Sequence, residues 1–289
     1  MPQSGQVWDP SLLTKSPLLS VFAPLLEDWR GRAVFPDARD YTELCEQQRR
    51  ARAPELTPLS FQLAAKRSRR DKRQRIVLGE LYDGSIALRQ CVPVLPQSYH
   101  DLLNALVFAA FPRSKRQLHR RQFEALRNWI PEGASRLPGE RTREQDSLTI
   151  FDEGGSVVLL DSVAHASWLT TNASTRIPDF SPETGAVPLL FGHALLEHLA
   201  EGFPSLRSSA VVLCTPTNAD ANELLECADV ALVEHLRDRQ RFTEPGADAV
   251  LEMTSNGELW LGPPKPSWSE FHRQVDGSMT TKLEQPRRR

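Results

Sequence analysis

Three apolar stretches carry side chains able to bind a metal or move a proton. His100, Asp101 and Asn104 lie in SYHDLLNALVFAAF, His193 and Glu197 in PLLFGHALLEH, and Asp152 and Glu153 in LTIFDEGGSVVLL. Burying an imidazole or a carboxylate costs several kcal/mol unless it finds a partner, so three such placements imply groups that meet one another or a ligand. His100 and Asn104 are four residues apart and share a helix face, with Asp101 one step around in the first turn. Imidazole titrates near neutral pH, so a histidine beside a carboxylate suits either a divalent metal or an acid–base pair. The plainer reading makes Asp101 part of a helix cap and Asn104 a contact to a loop.

His193 and Glu197 repeat the four-residue spacing, and Gly192 leaves room beside His193 for a close neighbour. Such a pair supplies two metal ligands, or one histidine oriented by its carboxylate; taken alone it more often describes an intrahelical hydrogen bond. Asp152 and Glu153 fall where a hairpin turn is expected. Adjacent strand residues face opposite sides, so Asp152 is the one expected to reach a shared centre, although an Asp before glycines is also ordinary turn chemistry.

Together these residues suggest a divalent ion held by His100, Asp152 and His193, with Asp101 and Glu197 as catalytic carboxylates. The ion would lower the pKa of a bound water, and Glu197 would serve as general base in a metal-dependent hydrolase of a small molecule. This requires His100 and His193 to lie within about 12 Å of each other. The spacing H-x-x-x-E-H is not that of zinc proteases, and no phosphate-cradling G-x-x-x-x-G-K-[ST] loop, dinucleotide G-x-G-x-x-G turn or G-x-S-x-G elbow is present. Metal phosphohydrolases with a His-Asp pair also need an earlier histidine, and none precedes His100.

The elements that must position these groups read as follows. Two β-rich runs joined through Asp83-Gly84 predict a hairpin from about Arg75 to Cys91. Ser98 opens a helix that Pro112 ends, and Ser114 is expected to cap a second helix, KRQLHRRQFEALRNW, with an apolar stripe beneath a basic face. A second hairpin is expected over Ser147–Phe151 and Ser156–Leu160, and Pro188 is expected in the first turn of a helix ending near Gly202. A strand over 209–215 and a helix over ADANELLECADVALVEHLRD follow. This order lacks regular β–α alternation, so an α+β fold is expected, with β-hairpins and a small mixed or antiparallel sheet packed against helices. Three regions are expected: 1–74, helical and loop-rich with a basic segment; 75–265, the main domain; and 266–289, a flexible tail.

At 289 residues, 40% hydrophobic and 25% charged, the chain has ordinary globular proportions, and its net charge of -2 gives no global attraction to nucleic acid. The four cysteines are scattered, as expected for free thiols in a reducing cytoplasm. No signal-like leader opens the sequence, and the apolar run 105–111 falls far short of the ~20 residues of a membrane helix. Lys66 to Arg75 holds seven positive residues in ten. With Arg113, Lys115, Arg116, Arg120 and Arg121 it could face phosphates, which supports a competing expectation: a non-enzymatic protein that binds nucleic acid or an acidic partner while its buried polar groups fix helix packing.

YHDLLNALVFAAFPRSK, DSLTIFDEGG and FGHALLEHL resemble the signature segments of a mainly proteobacterial family known as a domain of unknown function, over roughly residues 75 to 215. The resemblance implies a bacterial cytoplasmic protein and leaves the chemistry open.

Overall fold

A computed structural model describes residues 6–64, 76–131, 133–171, 173–177 and 185–264. The basic segment Lys66–Arg75 and the tail from 265 onward lie outside the described residues. The N-terminal part supplies α1 (Pro17–Ser20), α2 (Ala38–Arg52) and β1 (Ser60–Leu63), followed by α3 (Tyr82–Arg89) and β2 (Cys91–Val94). Then come α4 (Tyr99–Ala110), α5 (Pro112–Trp129), α6 (Arg143–Gly154), β3 (Gly155–Leu160), α7 (Ser162–Thr170), β4 (Thr175–Ile177), β5 (Ala186–Leu190), α8 (His193–Ala200), β6 (Leu206–Cys214), α9 (Ala221–Arg237), β7 (Ala249–Met253) and β8 (Leu259–Gly262). The fold is α+β. Six strands form a mixed sheet in the order β4-β8-β7-β6-β3-β5, in which only β3 and β6 run parallel, and β1 pairs with β2 in parallel as a separate ribbon.

Neither expected hairpin forms: α3 takes the place of the first, and in the second Ser147–Phe151 is helical while Ser156–Leu160 is a strand as expected, in β3. Asp83-Gly84 lies inside α3, and glycine is needed there because a Cβ would stand 1.8 Å from the Leu78 carbonyl oxygen of the preceding turn. Residues 143–154 form α6: a capping box joins Thr142 and Gln145, and Leu148 and Phe151, three residues apart, turn one buried face inward. Pro188 is not helical; it sits in β5, an edge strand, where a missing N–H is tolerated. The helix then begins at His193.

The helix starting after Ser98 forms as expected, and ten of its residues are buried. Its last carbonyls, at Ala109 and Ala110, accept hydrogen bonds from the Arg52 side chain. Phe111 rather than Ser114 precedes α5, with Pro112 in its first turn. The open N–H groups of Arg113 and Ser114 are met by the Asp229 carboxylate of α9, at 3.0 and 2.8 Å. The expected basic face of α5 is also corrected. Lys115 and Arg121 are fully buried; Arg121 bridges Glu144 and the carbonyls of Leu236 and Asp238, while Arg113 pairs with Glu55.

One hydrophobic core runs from Trp8 through α4, β3 and β5 to Leu261. Among the described residues no helix is long and apolar enough to cross a membrane, and all four cysteines are free thiols.

Candidate functional site

Five helices, α3 to α6 and α8, line a cavity of about 250 Å³. Its placement follows from one junction. The Gly155 carbonyl, where α6 passes straight into β3, accepts hydrogen bonds from Phe191 N–H at 3.0 Å and Gly192 N–H at 2.8 Å. This seats the start of α8 on the end of α6. A Cβ at Gly192 would stand 2.4 Å from the Glu153 carbonyl oxygen and 2.5 Å from Gly155 N, so only glycine permits the approach. The room that the sequence leaves beside His193 is filled by backbone.

His193, thus placed, meets His100 of α4. Their Nε2 atoms are 3.1 Å apart, far inside the 12 Å limit. Nδ1 of His193 lies 2.9 Å from the Asp152 carbonyl oxygen, and Nδ1 of His100 lies 3.3 Å from the Glu197 carboxylate. Protons can be assigned from this chain. A carbonyl only accepts, so His193 carries its proton on Nδ1 and offers Nε2 as an acceptor. His100 then donates from Nε2 to His193 and from Nδ1 to Glu197, which makes it an imidazolium. Electrostatics agree: the Glu197 hydrogen bond raises the His100 pKa against the opposing effect of burial, whereas burial, reinforced by Lys115, holds His193 well below the ordinary histidine range.

Asp152 contributes its carbonyl to this chain and its carboxylate elsewhere. The carboxylate is an ion-pair partner of Lys115, whose side chain is fully buried and lies over the rings of Phe108 and Phe191. Burial pushes the Asp152 pKa up, but the Lys115 charge outweighs it and keeps the carboxylate ionised. Glu153 also lines the cavity, and burial together with the Asp152 charge raises its pKa. Both residues stand at the C-terminal end of α6, not in a hairpin turn.

Asp101 lines the cavity but accepts the Leu95 N–H at 2.9 Å, tying α4 to the strand end before it. Asn104 donates from Nδ2 to Tyr82 Oη at 2.7 Å. His119, to which sequence reasoning gave no role, is 1% exposed; it stacks on Phe108 and places Nδ1 2.9 Å from Asp83. Lys115, His119 and Gln122 share one buried face of α5 at helical spacing, but in the sequence that face is masked by the arginines beside it.

With the shared proton removed, the two facing Nε2 atoms would be open to a cation. Among the described residues no group of three or more His, Cys, Asp or Glu side chains is disposed to hold a metal ion.

No curated protein and no solved structure matches the chain. The family model for proteins of unknown function designated DUF3025 matches residues 72–249, which include every residue of the cavity and the α9 carboxylate that caps α5. Covering more than half of the sequence, that match makes the chain a member of the DUF3025 family.

Proposed function

We propose that the cavity is the active site of an acid–base enzyme that hydrolyses a small polar molecule. The supporting observation is the chain Glu197–His100–His193–Asp152 carbonyl, which sets two Nε2 atoms 3.1 Å apart at the wall of the cavity. Such a pair offers the two functions hydrolysis requires. Once substrate and water take the place of the His100–His193 hydrogen bond, neutral His193 is the base that accepts a proton from the attacking water, and the His100 imidazolium is the acid that protonates the leaving group. Glu197 and the Asp152 carbonyl are positioning groups that fix ring orientation and tautomer. The ion pair of Lys115 with Asp152 holds the α6 end in place, and the positive Lys115 disfavours a second proton on His193.

A second reading exchanges the shared proton for a divalent cation. It is favoured by the same geometry, since two nitrogens bound to one tetrahedral ion at ~2.0–2.1 Å would sit roughly 3.3 Å apart, and ligating histidines commonly have their other nitrogen held by an acceptor. The Asp152 carboxylate, expected from sequence as a third ligand, is instead engaged by Lys115, whose charge opposes a cation nearby. For that reason the proton-sharing pair is preferred.

The test is turnover of a panel of small amides, esters and phosphoesters by chelator-treated protein beside His193→Gln and His100→Gln variants. Hydrolysis that survives the chelator and is lost in both variants supports the acid–base enzyme. Hydrolysis restored only by added zinc or manganese supports the cation, and no turnover dependent on either histidine overturns both.

A further inference from the structure

The cavity has a wall, formed by Asn104, His119 and Tyr82, that this chemistry does not use. Asn104 is 3% exposed and commits its Nδ2 to Tyr82, and its Oδ1 is buried with no hydrogen-bond partner. His119 is 1% exposed; its Nδ1 faces Asp83, and its Nε2 is likewise buried without a hydrogen-bond partner. The nearest recorded polar atom, Asp152 Oδ1, is 3.8 Å away, beyond hydrogen-bond range. Both residues line the cavity, and Tyr82, whose ring packs edge-on against His119 at 5.4 Å, joins them. Buried polar atoms left unpaired are costly, so these two are expected to meet a ligand.

We propose that this wall binds the primary carboxamide end of the substrate, a proposal that rests on the cavity being a substrate site. In the binding state His119 holds a proton on Nδ1 toward Asp83 and offers Nε2 as an acceptor. Asn104 Oδ1 is a second acceptor. Tyr82 Oη, already accepting from Asn104, keeps its own O–H to donate. Two acceptors and one donor complement an –NH2 next to a C=O. Exchange of the Asn104 amide oxygen and nitrogen preserves the match, for the amide would then donate to the ligand carbonyl while His119 still accepts from –NH2. The cavity disfavours an anion, because its lining sets Asp83, Asp101, Asp152 and Glu153 against Arg141 and His100 while the nearby Lys115 is paired with Asp152. At about 250 Å³ it admits only a small molecule or the amide end of a larger one.

Acetamide, N,N-dimethylacetamide and acetate serve as probes, titrated into the full chain while the histidine ring resonances are followed by NMR. Acetamide is expected to shift the His119 signals saturably. N,N-dimethylacetamide, which lacks N–H donors, and acetate, which lacks donors and is charged, are each expected to bind at least about tenfold more weakly, the order of one to two hydrogen bonds. Asn104→Leu, of similar size, and His119→Phe, which keeps the stack on Phe108, should each weaken acetamide about five- to tenfold. Circular dichroism and melting of each variant verify its fold, and Tyr82→Phe, which removes only a hydroxyl, provides a milder variant if either fails to fold. Equal responses to the three probes, or acetamide binding unchanged in folded variants, overturns the proposal. His193→Gln separates the two readings. Acetamide binding that persists in this variant while no histidine-dependent turnover is found leaves the carboxamide wall standing and removes the acid–base enzyme; histidine-dependent turnover of an ester with no acetamide binding does the reverse.

Discussion

His100 and His193 face each other through their Nε2 atoms at 3.1 Å although they are 93 residues apart in sequence, and an acceptor holds Nδ1 of each ring. The two rings are not equivalent. His100 is oriented by a carboxylate and is about two-fifths exposed at its side chain, while His193 is oriented by a neutral carbonyl and is buried beside a lysine. Under the proposed mechanism, that asymmetry makes one ring the acid and the other the base.

Glu197→Gln removes the largest cause of the raised His100 pKa while keeping a side chain of the same size. The titration midpoint of His100 should fall, and any hydrolytic activity should lose its high-pH limb at a lower pH. A pH profile of kcat for both proteins measures this, and an unchanged midpoint would show that Glu197 does not hold the imidazolium.

Lys115 and Asp152 form an ion pair whose lysine side chain is fully buried. Lys115→Met leaves an unpaired buried carboxylate and should cost about 3–5 kcal/mol in urea denaturation, whereas the double variant Lys115→Met/Asp152→Leu should recover most of that loss. Similar stabilities for the single and double variants would contradict the pairing.

Gly192→Ala places a methyl group against backbone atoms of Glu153 and Gly155. Because neither can swing aside, α8 must shift, at a cost of about 1–3 kcal/mol. Chemical denaturation measures the cost, and loss of the coupling between the His100 and His193 ring signals shows the displacement. Full stability in the alanine variant would mean that α8 sits farther from α6.

The two histidines act on stability in opposite pH directions. For His193, with a folded pKa below the ordinary value near 6.5, the unfolded chain binds more protons between the two values, so stability falls as pH drops below about 6.5. For His100, with a raised folded pKa, the contribution is complete below about 6.5 and is lost as pH rises through the folded value. In His193→Gln the acid-side loss should shrink, a change that melting temperatures from pH 4 to pH 8 would record.

The meeting of α4 and α8 was legible because burial cost singles out polar residues in apolar runs, whatever their secondary structure. His100, His193 and Glu197 therefore converge as their sequence context suggests. What failed were local signals overridden by tertiary contacts. Asp83-Gly84 has hairpin chemistry, yet the glycine serves the close passage of the Leu78 carbonyl under α3. The run LTIFDEGG resembles a strand and turn, but the Thr142–Gln145 capping box fixes a helix start six residues before Leu148, and the glycines mark where α6 becomes β3. His119 and Lys115 were hidden by their neighbours: in a helix dense with arginine, buried cations cannot be told from solvated ones until α3, α6 and α9 cover them.

The central assignment, a proton shared between a charged His100 and a neutral His193, is tested most directly by NMR of ¹⁵N-histidine-labelled protein across pH 4 to 9. The expected spectrum has His100 protonated on both nitrogens at neutral pH, with a midpoint above 6.5, and His193 as the Nδ1–H tautomer throughout the neutral range, changing only well below 6.5. Two rings titrating independently near 6.5, or His193 protonated on Nε2, would contradict it.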